Sequence, residues 1–227
     1  MSEHENIVRI KAVYDALQEL AQEVIFVGGA TVSLYADRPA GEIRPTDDID
    51  ILIELLHYKD YSAIEEKLRK KGFVNDIESG VICRYIINGI TVDVMATSGE
   101  ILGFANRWYA EAFTNSQKII LEGGYSIKIF SAPYFLATKM EAYKSRGGND
   151  GRTSTDFEDI VYVLNNRTTI WKEMAAAPEN LKQYLKTELG ELVSQPYIDE
   201  WISSHLDYNE QRRGNFIIGS MEEFVAD

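Results

Sequence analysis

Cysteine, basic residues and long apolar runs are all scarce in this chain. Its 227 residues include a single cysteine, Cys83, which excludes an intramolecular disulfide and any cysteine-rich zinc site. Lysine and arginine number 23 against 36 acidic residues, and the formal net charge is −13 at pH 7. This balance argues against a general nucleic-acid binder, because phosphate contacts require a basic surface.

No apolar run approaches the roughly 18 residues that a membrane-spanning helix needs. The first ten residues also lack the continuous apolar segment of a secretory signal. Apolar residues make up 45% of the chain and charged residues 26%, which is ordinary for a globular protein. We therefore expect a cytoplasmic protein with no membrane partner, long enough for one large domain or two small ones.

Hydrophobic periodicity predicts two parts of different character. In the first part, strand patterns alternate with amphipathic helices, and Val81–Ile87 and Ile90–Met95 flank the hairpin signal Asn88-Gly89. After the first part only helical patterns occur. The sequence thus predicts an α/β (α+β) fold with a mixed sheet flanked by helices in residues 1–130, followed by a helical C-terminal domain in residues 131–227.

Residues 24–53 contain two features typical of metal and phosphate chemistry. An apolar strand ends at Gly28-Gly29, which is either a tight turn or a turn whose backbone amides hold a phosphate. Asp48 and Asp50 then occur within an isoleucine-rich strand, and their spacing puts both side chains on one face, roughly 7 Å apart at Cα. Such acids either face solvent at a strand edge or bind a cation, and hard carboxylate oxygens suit Mg²⁺.

A third carboxylate on a neighbouring strand would complete a site for two metal ions. Asp93 is an isolated acid in the β-rich run that follows the Asn88-Gly89 turn. The competing interpretation is a surface position on a half-exposed strand. We predict Asp93 as the third metal ligand.

The Gly-Gly pair followed by the pattern R-x-T-x-D-I-D-I resembles the nucleotidyltransferase superfamily of the DNA polymerase β type. Residues 134–164 are similar to the AbiEii-like branch, which comprises abortive-infection toxins of type IV toxin–antitoxin systems and uncharacterised bacterial relatives. That branch carries a lysine on a helix, a loop, and then a helix with a basic residue before Asp-x-x-Asp. Lys139 matches the lysine, and Asp156 and Asp159 match the acids.

Two positions depart from the family pattern. Gly29 stands where a serine is usual, so a hydroxyl contact to phosphate is missing there. Thr155 stands where a basic residue usually precedes Asp156, and Arg152 is the candidate to supply that charge instead.

The resemblance implies transfer of an NMP from an NTP to an acceptor hydroxyl, with release of pyrophosphate. It implies two Mg²⁺ ions on the three aspartates, and an NTP in a cleft between the domains with its phosphates held by the Gly28-Gly29 turn and Lys139. Asp156 would orient Lys139 or the acceptor. The expected catalytic residues are Asp48, Asp50, Asp93, Lys139 and Asp156.

Four further residues near these motifs are candidate nucleotide-binding residues because they carry hydroxyl or guanidinium groups: Thr31, Ser33, Arg44 and Thr46. Simple structural roles compete with each of these assignments. Arg44 and Thr46 also fit a plain turn, Lys139 fits a solvated helix surface, and Asp156 fits a helix N-cap.

The sequence leaves the acceptor open among tRNA, a protein and a small molecule. A toxin of the AbiEii type would have an antitoxin protein as its partner. Three alternatives are an antibiotic-type nucleotidyltransferase acting on a small molecule, a tRNA-terminal nucleotidyltransferase, and a non-catalytic nucleotide-binding module. The tRNA-terminal enzymes are the weakest of these, since they normally have longer chains and basic helical domains.

Overall fold

A computed structural model describes residues 2–41, 43–55, 58–103, 105–146 and 150–227. Its helices are α1 (Ser2–Leu17), α2 (Tyr58–Lys70), α3 (Gly99–Leu102), α4 (Tyr109–Thr114), α5 (Ala132–Ser145), α6 (Thr155–Asn166), α7 (Ile170–Ala175), α8 (Glu179–Val193), α9 (Ile198–Ser204) and α10 (Arg213–Ala226). Its strands are β1 (Val24–Val27), β2 (Asp48–Ile53), β3 (Val74–Asn75), β4 (Arg84–Ile87), β5 (Ile90–Ala96), β6 (Ser116–Ile120) and β7 (Ser126–Phe130). The predicted α+β class is confirmed. Within these ranges, no helix combines the length and the apolar character needed to cross a membrane.

The chain forms two compact units, which we call the sheet unit (residues 1–33 and 42–131) and the helical unit (residues 34–41 and 132–227). The segment 34–41 precedes the β2 strand in sequence but belongs to the helical unit. Its Tyr35 ring lies 4.4 Å from the Phe135 ring between centroids. The Asp37 carboxylate accepts hydrogen bonds from the backbone N–H and the hydroxyl of Thr168.

Five strands of the described residues form one mixed sheet in the order β1-β2-β5-β4-β3, and β6 and β7 form a separate hairpin. β2 is antiparallel to β1 and parallel to β5, while β4 and β5 form an antiparallel hairpin. The hairpin turns at Asn88-Gly89, where both residues have positive φ (50° and 78°), as its tight turn requires. The predicted turn is therefore confirmed. β4 begins at Arg84 rather than at Val81, because Arg84 N donates to Val81 O and closes a turn there.

β2 has two chemically different faces. Ile49 and Ile51 are buried, whereas Asp48 and Asp50 alternate with them and are half-buried. This is the period of two that a strand imposes on its side chains. The segment between β1 and β2 begins with a 3-10 helix over Gly29–Tyr35.

The helical unit is built around α5, which packs against α6, α7 and α8, while α10 packs against α8. α5 is buried over most of its length, and this includes the polar residues Thr138 and Lys139. A charged side chain in such a position requires partners inside the unit.

Candidate metal site and the buried lysine cluster

Parallel pairing of β2 and β5 brings the three predicted metal ligands together. Asp50 and Asp93 lie directly opposite each other in the register, and Asp48 lies two residues before Asp50 on the same face. One carboxylate oxygen from each residue lies within 4.8 Å of the other two. All three residues are partly exposed, so a ligand can reach them. Oxygen donors at this spacing fit a hard divalent cation such as Mg²⁺.

Gly28 forms one wall of this acidic cluster. The preceding residue, Val27, pairs with Asp50 across β1 and β2. A Cβ atom on residue 28 would lie 1.9 Å from Asp50 Oδ2, and the backbone has φ of +72°. Close approach and left-handed backbone conformation therefore both require glycine here. Gly29 is buried and begins the 3-10 helix that follows.

Arg84 supplies positive charge to the cluster, a role that was not predicted from the sequence. Its Nε and Nη2 atoms each lie 2.8 Å from an oxygen of Asp93, and Nη2 lies 3.3 Å from Asp48 Oδ2. The hydrogen bonds to Asp93 raise the pKa of Arg84, so the guanidinium is charged at every accessible pH. The two-residue hairpin turn was the signal that could have found it. With Ile87 opposite Ile90, counting back along the register places Arg84 opposite Asp93.

The two hydroxyl residues after the glycine turn are buried. Thr31 is fully buried and donates its hydroxyl to Gly28 O at 2.9 Å, so it closes the turn that borders Asp50. Ser33 is also buried, and its hydroxyl has no hydrogen-bond partner among the described residues. Contact of either hydroxyl with a nucleotide stays a prediction.

The loop before β2 is braced by α1. The hydroxyl of Thr46 lies 3.1 Å from Asp48 O and 3.2 Å from Asn6 Oδ1, and Thr46 N donates to the same Asn6 oxygen. Asn6 Nδ2 donates to Arg44 O at 3.4 Å, and the Arg9 guanidinium donates to Thr46 O. Thr46 therefore holds the start of β2, and with it Asp48, in place. Nucleotide binding by Arg44 and Thr46 stays a prediction.

Lys139 lies in the helical unit and forms a buried ion-pair cluster with two acids of α6. Its Nζ atom lies 2.6 Å from Asp159 Oδ2 and 3.1 Å from Asp156 Oδ1. Burial alone would lower the pKa of Lys139, but Asp159 and Asp156 outweigh burial and the pKa is raised. Lys139 is 9% exposed, so its interpretation as a solvated surface lysine is wrong.

Asp156 lies inside the first turn of α6, which begins at Thr155. The N-cap is Ser154, whose hydroxyl oxygen accepts a hydrogen bond from Phe157 N at 3.2 Å. The interpretation of Asp156 as a simple N-cap is therefore wrong. Its buried carboxylate is used for ion pairs instead.

Besides Lys139, Asp156 has a second basic partner, Arg146. Its Nη1 atom lies 2.7 Å from Asp156 Oδ2. Arg152, the sequence candidate for this charge, is engaged elsewhere and pairs with Asp150 and Glu200. Arg146 is the last residue before a glycine-rich segment, and nothing in the local pattern distinguishes it from other exposed arginines.

Cys83 is an unsuitable nucleophile. It is buried, and burial together with the nearby Asp93 carboxylate raises the pKa of its thiol to about 11. The thiol is therefore protonated at neutral pH, and only the thiolate is reactive.

The predicted site residues thus form two clusters, one in each unit. Asp48, Asp50 and Asp93 belong to the sheet unit, and Lys139 and Asp156 belong to the helical unit. No family model matches the sequence, and no curated protein matches it either.

Proposed function

We propose that this protein is a metal-dependent nucleotidyltransferase that moves an NMP from an NTP to an acceptor hydroxyl and releases pyrophosphate. The observation that carries the proposal is the approach of three carboxylate oxygens to within 4.8 Å on β2 and β5. Three acids from two parallel strands, beside a turn that only glycine can form, are the protein's contribution to two-metal phosphoryl transfer.

Asp48, Asp50 and Asp93 would hold the two Mg²⁺ ions. The chemistry that bound Mg²⁺ supplies is charge neutralisation on the phosphates and activation of the acceptor oxygen. The strands keep the three carboxylates in a fixed arrangement, so little reorganisation is needed when the ions bind. The absence of a side chain at Gly28 lets the Asp50 carboxylate lie directly against the turn after β1.

Arg84 offsets the repulsion among the three acids. It is one guanidinium facing the carboxylates of Asp93 and Asp48, and its side chain is 26% exposed. A divalent cation therefore competes with Arg84 for the same oxygens. Once released from them, the guanidinium can pair with a phosphate of the nucleotide, because its planar group of donors suits phosphate oxygens.

The acceptor is more consistent with a compact or cationic molecule than with a long nucleic acid. A formal net charge of −13 disfavours the approach of a long polyanion. Activity as an AbiEii-like toxin with an antitoxin partner, or on an antibiotic-type small molecule, is part of this proposal.

A metal- and nucleotide-binding module without transfer activity is the second candidate. Two observations favour it: the carboxylate of Asp93 is held by two hydrogen bonds from Arg84, and the ammonium of Lys139 is neutralised by Asp156 and Asp159. Both groups are thereby engaged within the protein rather than presented to a nucleotide.

Transfer of label from each of the four α-labelled NTPs in the presence of Mg²⁺ tests the proposal. The acceptors are bulk tRNA, the protein itself and small hydroxyl compounds. We expect label on one acceptor with release of pyrophosphate, loss of transfer in Asp50→Asn, and retention in Asp47→Asn, which removes an exposed neighbouring acid. Binding of an NTP without transfer would favour the second candidate, and neither binding nor transfer would contradict both.

A further inference from the structure

The helical unit contains a pocket of about 80 Å³ that shares no residue with the acidic cluster on β2 and β5. This volume has room for a few water molecules or for one small polar head group, since a single water needs about 10–15 Å³. The pocket is lined by residues of α5, α8 and α9 together with the turn after α8: Met140, Tyr143, Lys144, Glu188, Glu191, Leu192, Gln195 and Trp201. Its walls thus combine aromatic and apolar surface with two carboxylates and one ammonium.

Tyr143 has a buried hydroxyl without a partner. The residue is 6% exposed, and its hydroxyl oxygen makes no hydrogen bond with any described residue. A buried polar group that loses water without gaining a partner costs free energy. Because Tyr143 lines the pocket, a ligand in the pocket can supply the missing hydrogen bond. The buried environment also raises the pKa of Tyr143, so the hydroxyl is neutral and can donate or accept.

Glu188 is a buried carboxylate held by a replaceable partner. Its side chain is 8% exposed, and Lys144 Nζ lies 2.7 Å from its Oε1 atom. The Lys144 side chain is 47% exposed and can leave toward solvent without losing its hydration. A buried carboxylate requires a cation. The pair is therefore a site where a ligand cation can replace Lys144.

The charges and the aromatic surface favour a cationic ligand over an anionic one. Glu188 and Glu191 outnumber Lys144 in the lining, and the whole chain is acidic. Trp201 is held in place by Phe157, whose ring lies edge-on to it at 5.9 Å between centroids. Indole faces attract cations, and the Tyr143 hydroxyl accepts from an ammonium.

We propose that this pocket binds a compact organic cation, a primary amine or guanidine carried on a short aromatic or apolar body. The cationic head donates to the Glu188 carboxylate and to the Tyr143 hydroxyl oxygen, while the body contacts Met140 and Trp201. Binding displaces Lys144 from Glu188.

Calorimetric titration with three probes of one shape tests the proposal: phenethylamine as the cation, 2-phenylethanol as the neutral analogue and phenylacetate as the anion. We expect phenethylamine to bind and the other two to bind at least about tenfold more weakly, because only a cation forms a charge-assisted bond with Glu188. Equal binding of all three, stronger binding of phenylacetate, or no binding of phenethylamine would overturn the proposal.

Three variants identify the groups involved. Glu188→Gln is expected to weaken phenethylamine binding by about tenfold or more, and Tyr143→Phe by a few-fold, since each removes one polar partner. Lys144→Met is expected to tighten binding, because it removes the competing cation and leaves Glu188 in need of one. Lys182→Met serves as the control and leaves the affinity unchanged, because Lys182 lies on α8, the helix of Glu188, but pairs with Glu179 outside the pocket.

If Lys144 only stabilised the pocket, Lys144→Met would weaken the binding of phenethylamine instead of tightening it. Weaker binding or unchanged affinity in that variant, with unfolding curves that show an intact fold, would overturn the displacement of Lys144. Unchanged affinity in Tyr143→Phe, which retains the ring and its packing, would overturn the role of the hydroxyl.

Discussion

Among single residues, Gly28 stands out because the backbone turn that it forms lies directly beside the carboxylate of Asp50. A Cβ built on it would overlap the Asp50 carboxylate, and its φ of +72° lies in the left-handed region. Gly89 shares a positive φ of +78°, but a Cβ built there would meet no atom within 4 Å. Substitutions at these two glycines can therefore be compared to separate the effect of backbone conformation from the effect of the contact with Asp50.

Gly28→Ala is expected to lower the free energy of unfolding more than Gly89→Ala does. The shared backbone strain costs about 1–2 kcal/mol in each variant, and the added overlap with Asp50 costs about 1–3 kcal/mol more in Gly28→Ala alone. Urea denaturation measures both values. Equal destabilisation of the two variants would show that Asp50 does not contact residue 28.

Arg84→Gln is expected to tighten divalent-cation binding, because it removes a cation that competes for Asp93 and Asp48. The expected change is several-fold, up to about tenfold, given the partial exposure of the pair. Titration with Mn²⁺ measures it, and Arg69→Gln, which alters an exposed arginine of the α2 helix paired with Glu65, serves as the control. Weaker Mn²⁺ binding in Arg84→Gln would mean that Arg84 holds the carboxylates in place rather than competing for them.

The aspartates were predictable from the sequence because acids in apolar strand patterns are rare and require a cation. Arg84 was predictable in principle from the Asn88-Gly89 turn, since a two-residue hairpin fixes its register. The direct pairing of Asp50 with Asp93 was not, because no local pattern fixes the register of two parallel strands that are 40 residues apart in sequence.

At the scale of elements, the Lys139 cluster joins α5 to α6. One ammonium is shared by two buried carboxylates, and Arg146 reaches one of them from outside. The family resemblance indicated these residues and implied that Asp156 orients Lys139 or the acceptor. It did not predict that Asp159 shares the same ammonium, because the periodicity of a helix does not say which helix it faces. Removing the lysine would leave two buried negative charges without their shared partner.

Lys139→Met is expected to lower the free energy of unfolding by about 3–5 kcal/mol, the usual consequence of breaking a buried ion pair. Lys182→Met, which removes a lysine from an exposed pair on α8, is expected to change it little. Chemical denaturation at pH 7 measures both. A small effect in Lys139→Met would show that Lys139 is not buried between the acids.

The stabilisation that Lys139 provides, measured with the same variant, is expected to depend on pH. The pKa of Lys139 in the folded state is raised above its ordinary value of 10.5 by Asp159 and Asp156, which outweigh burial. The stabilisation by Lys139 is therefore complete at pH values below the pKa that this residue has in the unfolded state. It is lost as the pH rises through the pKa that Lys139 has in the folded state. The difference in free energy of unfolding between wild type and Lys139→Met should be constant from about pH 8 to about pH 10 and shrink only at higher pH. Shrinkage already below about pH 9 would contradict a raised pKa.

Across the whole molecule, each of the two units contains one cluster of charged side chains. The sheet unit presents three partly exposed carboxylates with one arginine, and the helical unit encloses its lysine with two acids. The change from strand to helical patterns near residue 130 lies close to the boundary between Ser131 and Ala132, where the chain passes from one unit to the other. It could not predict that residues 34–41 belong to the helical unit, since Tyr35 and Asp37 find their partners over 90 residues away.

We propose that Asp48, Asp50 and Asp93 form a divalent-cation site, since one oxygen of each lies within 4.8 Å of the other two. The most direct test of this claim is a titration of the protein with Mn²⁺, with and without NTP, comparing wild type with Asp50→Asn and Asp47→Asn. We predict Mn²⁺ binding by wild type and by Asp47→Asn, stronger binding when NTP is present, and loss of binding in Asp50→Asn. No binding by wild type, or the same affinity in both variants, would contradict the claim.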